Sequence, residues 1–120
     1  MKKILFVEDE VDLLELVQIR LEMSGFEFIF ALNGEEGLKK AKEEKPDLIL
    51  LDIIMPKMDG YQVCAFLKDD PQTKNIPVIM FSAAGKEVEK KCRSCGADDF
   101  ITKPYESKEL IDRIKALLKE

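Results

Sequence analysis

The 120-residue chain reads as an α/β domain of five βα units that build a doubly wound, parallel five-stranded sheet. Three observations lead there. Short β-type runs alternate with stretches of helical period along the chain. The first, third and fourth runs, Ile4-Leu5-Phe6-Val7, Leu48-Ile49-Leu50-Leu51 and Val78-Ile79-Met80-Phe81, are apolar throughout, as strands covered on both faces are. Units of about 20–25 residues leave room for one strand and one helix each, and right-handed crossovers place the helices on both faces.

Taken in order, strands are expected at about 3–7, 26–31, 47–51, 77–81 and 98–102, with helices at about 10–23, 34–44, 61–69, 86–95 and 106–119. Gly25 and Gly96 stand where a helix ends on a left-handed residue. Asn33-Gly34, Lys45-Pro46 and Asp70-Pro71 punctuate the elements. The last helix is the clearest: Leu110, Ile111, Ile114, Leu117 and Leu118 mark one face, opened by Glu106 or Ser107. There is no internal repeat, low-complexity segment or linker, so residues 1–120 read as one domain.

The charge of 19 basic against 24 acidic residues, net −5, argues against non-specific nucleic-acid binding by this domain, which needs a basic face. No apolar run approaches the roughly 18 residues of a membrane span. The start Met1-Lys2-Lys3 lacks the apolar region of a signal peptide, so the expected compartment is the cytoplasm. Three cysteines cannot close a disulfide set, and without His they fall short of a four-ligand zinc site. Cys92-Arg93-Ser94-Cys95 has redox-pair spacing, but late in a helix, where thiolates are not stabilised. The expected role is two small core residues one turn apart.

The chemistry gathers at the strand ends. The first strand runs into Glu8-Asp9, the third into Asp52, the fourth into Ser82 and the fifth into Lys103-Pro104. In an open parallel sheet those ends share the edge where ligands bind. Carboxylates brought together repel unless a cation intervenes, and hard oxygen ligands suit Mg²⁺. The simpler alternative is that such acids are loop residues or caps, with Asp9 capping the first helix. A carboxylate beside a metal can accept a phosphoryl group, and a hydroxyl and an ammonium could hold its oxygens. On that reading Asp52 is the acceptor, and Ser82 and Lys103 contact the phosphoryl oxygens.

These residues resemble a receiver domain of a two-component response regulator over essentially the whole chain. The resemblance is carried by Ile4-Leu5-Phe6-Val7-Glu8-Asp9-Glu10, by Pro46-Asp47-Leu48-Ile49-Leu50-Leu51-Asp52 with Met55-Pro56-Lys57-Met58-Asp59-Gly60, by Pro77-Val78-Ile79-Met80-Phe81-Ser82-Ala83, and by Gly96-Ala97-Asp98-Asp99-Phe100-Ile101-Thr102-Lys103-Pro104. It implies a flavodoxin-like strand order of 2-1-3-4-5 and an aspartyl-phosphate switch rather than an enzyme with a separate substrate. Asp52 would be the phosphoacceptor. Asp9, Asp52 and the backbone carbonyl of Ile54 would bind Mg²⁺ (or Mn²⁺), with Glu8 acting through water. Ser82 and Phe100 would be the switch pair, and Lys103 the phosphate-contacting lysine before a cis bond to Pro104. Ala83 would leave the phosphate room. Because Phe100 lacks a hydroxyl, an inward ring is expected even without phosphate.

The resemblance also implies a sensor histidine kinase or phosphotransfer protein as donor, recognised through the first helix and nearby loops. The surface of the fourth helix, fifth strand and fifth helix would change on phosphorylation. Asp99 and Arg113 match one cross-dimer pair of a subgroup that dimerises there, whereas Glu89 and Glu109 fall where opposite charges would be wanted. A homodimer on phosphorylation and solvated helix charges both stay open. Ile54 and Ala84 occupy the positions that tune dephosphorylation and cannot orient a water, so a long-lived phosphoryl group is expected. The output protein or output domain is not readable.

Three rivals fare worse. A haloacid-dehalogenase-type phosphatase needs an acid two residues past its nucleophile, where Ile54 stands. A flavin module needs a phosphate-cradling loop where Glu8-Asp9-Glu10 stands. A degenerate, phosphorylation-independent scaffold would lack residues that are all present.

Overall fold

In the computed structural model, which describes residues 1–55, 57–82 and 86–120, with Ser82 and Lys86 by backbone alone, strand and helix alternate from end to end. The elements are β1 Lys3–Val7, α1 Val11–Met23, β2 Glu27–Ala31, α2 Gly34–Glu44, β3 Leu48–Asp52, α3 Gly60–Asp69, β4 Val78–Ser82, α4 Lys86–Ser94, β5 Asp99–Thr102 and α5 Ser107–Leu118. All strand pairs are parallel, in the order β2-β1-β3-β4-β5. The expected architecture and strand order are the observed ones, with most element ends shifted by a residue.

Side chains alternate across the sheet and split the core in two. Ile4, Phe6, Leu48, Leu50, Ile79, Phe81 and Ile101 face α1 and α5, meeting Leu14, Val17, Leu21, Leu110 and Ile114. Leu5, Val7, Ile49, Leu51, Val78 and Met80 face the other way, toward Ala41, Val63, Cys64, Leu67 and Cys92. Every residue of β3 is buried, which is why its run is apolar until the chain reaches Asp52. Among the described residues no helix is long and apolar enough to cross a membrane.

Capping explains where the helices start. Asn33 accepts the Glu36 amide at 2.9 Å and opens α2. Asp59 and Gln62 form a capping box on α3, which therefore begins at Gly60, one residue before the expected start. Asp9 does not cap α1: the N-cap is Glu10, whose side chain makes no capping bond. The amides of Asp9 and Glu10 instead donate to Glu8 Oε2, at 3.0 and 3.2 Å. Glu106 precedes α5, also without a side-chain cap. Gly25 and Gly96 take φ of 87° and 92° at their helix ends.

Candidate functional site

The register of the sheet sets the site. Val7 pairs with Leu51, so the next residues, Glu8 and Asp52, emerge at one level. Asp52 in turn pairs with Phe81, and Ser82 with Thr102, so the ends of β4 and β5 close the same edge. Glu8 and Asp52 also share strand parity with Phe6 and Leu50, the α1/α5 side of the sheet. The outcome is a cluster in which one carboxylate oxygen from each of Glu8, Asp9 and Asp52 lies within 4.8 Å of the others. Glu8 and Asp52 are buried, and Asp9 is exposed.

Hydrogen bonding in the cluster is incomplete. Asp52 Oδ1 accepts the Ile53 amide at 2.8 Å and faces Lys103 Nζ at 3.3 Å. Glu8 Oε2 holds two amides, but Glu8 Oε1 is buried with no hydrogen-bond partner among the described residues. A buried acceptor in that state is costly. Burial pushes the Glu8 carboxyl up to about 8, the Asp52 charge and contacts with Asp52 and Asp9 add to this, and the Glu10 amide opposes it. A hard cation on this edge would satisfy the orphan oxygen and balance the crowded charge, so the donor set fits Mg²⁺.

The remaining predicted residues fall as follows. The Lys103–Pro104 peptide bond is cis. Ile54 is 81% exposed, an apolar side chain on the strand-end surface. Phe100 is half-buried on the side of the sheet that faces α2, α3 and α4, with the Arg93 guanidinium carbon 5.9 Å from its ring centre. Asp99 and Arg113 pair within the chain at 2.8 Å, and Arg113 also donates to the Phe100 carbonyl at 3.0 Å. Glu89 and Glu109 meet Arg93 and Arg113 four residues along their own helices. The Ser82 side chain, Ala83 and Ala84 lie outside the described residues.

Two neighbours of the cluster carry no obvious sequence signal. Tyr105 stacks its ring 5.2 Å from Phe81, and burial plus the charges of Glu8 and Asp52 raise its hydroxyl above the usual range. Gly60 packs directly against the backbone of Asp52: a Cβ there would collide with the Asp52 carbonyl and sit 2.7 Å from Ile53 Cα. The dipeptide Asp59-Gly60 signals a helix start but not this contact. Gly60 N also donates to the Ile53 carbonyl at 2.8 Å, tying the β3–α3 connection together.

Known proteins share both the sequence and this shape. A family profile described as the response regulator receiver domain matches residues 4–115. The alkaline phosphatase synthesis transcriptional regulatory protein PhoP of Bacillus subtilis is 46% identical over 98% of this chain and 49% of its own length. The phosphate regulon transcriptional regulatory protein PhoB of Pseudomonas aeruginosa is 42% identical over 98% of this chain and 52% of its own. The chain thus spans about half the length of these curated relatives. Among solved structures, a putative response regulator from Chloroflexus aurantiacus superposes with a TM-score of 0.94 at 32% identity, covering 99% of this chain and 98% of that one. The signal receiver domain of a histidine kinase from Syntrophus aciditrophicus gives 0.93 at 38% identity, covering 99% and 91%. With the family profile spanning nearly its whole length and the 2-1-3-4-5 sheet beneath it, the chain belongs to the response regulator receiver domain family.

Proposed function

We propose that this domain is a phosphorylation-activated switch in which Asp52 accepts a phosphoryl group from a sensor histidine kinase, a phosphotransfer protein or a small phosphodonor. The observation that carries this reading is the acid cluster with Lys103 Nζ 3.3 Å from Asp52 Oδ1. Asp9, Asp52 and the Ile54 carbonyl would hold Mg²⁺ (or Mn²⁺) directly, and Glu8 through water. The bound ion supplies positive charge for the phosphoryl oxygens in the transition state. Asp52 uses a carboxylate oxygen to form the new P–O bond while the bond to the donor breaks. Lys103 then shifts its ammonium from the carboxylate to the phosphoryl oxygens, and Ser82 hydrogen-bonds another of them. Phe100 responds to the movement of Ser82, and the change spreads to the face of α4, β5 and α5.

The domain works on itself and turns over no separate substrate. No acid stands at Ile54 to protonate a leaving group, and an apolar side chain there orients no water. The phosphoryl group is therefore long-lived, and its removal slow. On α1, Leu16, Ile19 and Met23 are 63%, 55% and 76% exposed, an apolar stripe suited to the donor protein. The donors named place the domain in the cytoplasm. Its output is protein–protein, through a partner, a further domain or a second copy, and not direct contact with nucleic acid, given the net charge of −5.

Labelling with acetyl phosphate tests the reading. Wild type with Mg²⁺ is expected to gain one phosphoryl group by intact mass, and to gain none with EDTA or as Asp52→Asn. Labelling that survives Asp52→Asn would refute the assignment. Loss of the label within seconds would refute the long lifetime alone.

A further inference from the structure

The three cysteines lie together on the far side of the sheet from the acid cluster. Cys64 on α3 and Cys92 on α4 are fully buried, and Cys95, in the turn after α4, is half-buried. Cys64 Sγ donates to the Cys95 carbonyl at 3.5 Å, and its thiol lies beside the Cys95 thiol. Cys95 Sγ is 3.1 Å from the Cys92 carbonyl and 3.5 Å from Met80 Sδ. The CxxC spacing draws attention to Cys92 and Cys95, but the thiol that meets Cys95 comes from a different helix.

We propose that Cys64 and Cys95 are a modification site, a thiol pair that peroxides oxidise to an intramolecular disulfide, with Cys95 attacked first. The two sulfurs are unequal, which sets the order. Cys95 has access to solvent and Cys64 has none. The neighbouring Cys64 thiol, with the Ala97 and Cys95 backbone amides, brings the Cys95 thiol down to about 7, against its burial. That matters because Cys95 follows the C-terminus of α4, where the helix dipole disfavours a thiolate. The same contact and burial push the Cys64 thiol far above the usual range, and burial pushes Cys92 up to about 11. One nucleophile and one resolving thiol result.

The chemistry balances. The Cys95 thiolate attacks one peroxide oxygen: an S–O bond forms, the O–O bond breaks, and hydroxide leaves, giving a sulfenic acid. The Cys64 sulfur then attacks the Cys95 sulfur: an S–S bond forms, the S–O bond breaks, and the departing hydroxyl takes the Cys64 proton as water. Overall two thiols and one hydrogen peroxide give one disulfide and two waters. The product ties α3 to the turn between α4 and β5, next to Asp99 and Phe100.

The test treats the phosphate-free protein with hydrogen peroxide and reads intact mass and a non-reducing peptide map, so it is independent of the phosphoryl-transfer reading. Wild type is expected to lose two hydrogens, to yield a Cys64–Cys95 linked peptide, and to recover its mass with dithiothreitol. Cys92→Ser behaves the same. Cys64→Ser stops at a Cys95 sulfenic acid that dimedone traps, and Cys95→Ser forms no disulfide. In wild type at neutral pH, iodoacetamide modifies Cys95 at least about tenfold faster than Cys64 or Cys92. A Cys92–Cys95 link, oxygen gain at Cys95 without disulfide in wild type, or no reaction would each overturn the proposal. The wild-type map decides it even where a variant fails to fold.

Discussion

At the amino ends of the strands, Asp47 and Asp98 occupy the same position one residue before β3 and β5, and each clasps the neighbouring strand through Oδ2. Asp47 N donates to the Lys3 carbonyl at 2.8 Å, and Asp47 Oδ2 accepts the Lys3 amide at 2.7 Å. Asp98 repeats this with Val78, at 3.0 and 2.8 Å, and adds Lys68 Nζ at 2.7 Å. At the carboxyl ends, Glu8, Asp9 and Asp52 crowd one another, and a buried oxygen of Glu8 has no partner among the described residues. The same residue type therefore serves two ends. An acid that closes a strand pair accepts the neighbouring strand's amide through one oxygen, whereas Glu8, in the crowded cluster, keeps a buried oxygen without a partner among the described residues. Such frustration marks a functional site where burial alone would not.

The largest expected effect separates the two ends by function. Asp52→Asn abolishes acetyl-phosphate labelling, whereas Asp98→Ala and Asp47→Ala leave labelling intact in the folded fraction. Loss of labelling in a folded Asp98→Ala protein would break the division.

Next comes pH. The Glu8 carboxyl is raised from 4.5 to about 8 by folding. Below 4.5 it is protonated in both states and carries no penalty. Between 4.5 and about 8 the unfolded chain releases the proton while the folded chain keeps it, so metal-free stability falls as pH rises through that window. The loss attributable to Glu8 is on the order of 2–4 kcal/mol. Glu8→Gln keeps an oxygen for the two amides and offers an N–H toward Asp52. Its stability advantage over wild type should grow from pH 4.5 to 8 in urea melts without metal, and saturating Mg²⁺ should erase it. A difference that stays flat with pH would show that Glu8 ionises freely, and that the cluster is less frustrated than its geometry indicates.

Legibility follows the same division. The apolar runs of β1, β3 and β4 announce buried strands because each residue contributes independently to covering the sheet. The cluster of Glu8, Asp9, Asp52 and Lys103 was legible as a shared edge because three strand ends each supply a polar group in order. Gly60 and Tyr105 were not, because their importance lies in what packs against them: the Asp52 carbonyl under Gly60, and the Phe81 ring beside Tyr105. Asp9 as a helix cap failed because Glu8, one residue earlier, reaches the amides first. Cys64 carries no sequence signal, since nothing local reveals that α3 brings it to Cys95.

The smallest expected effects compare the two strand-closing aspartates with each other. Asp47→Ala removes one acceptor from the Lys3 amide on partly exposed backbone, where water can substitute, and should cost about 0.5–1.5 kcal/mol. Asp98→Ala removes the acceptor of the Val78 amide. It also strips a carboxylate from Lys68, whose side chain is 18% exposed and whose Nζ otherwise keeps the Ile76 carbonyl at 2.9 Å and the Lys74 carbonyl at 3.3 Å. That loss should reach about 1–3 kcal/mol, because hydrogen bonds to charged groups exceed neutral ones. A double-mutant cycle of Asp98→Ala with Lys68→Met isolates the ion pair. Coupling near zero would make Asp98 equivalent to Asp47, a backbone clasp and nothing more. Coupling above about 0.5 kcal/mol would show that Lys68 acts through Asp98 to hold the start of β4. In that case the edge far from Asp52 is the rigid one, and the crowded acid edge is free to change its charge.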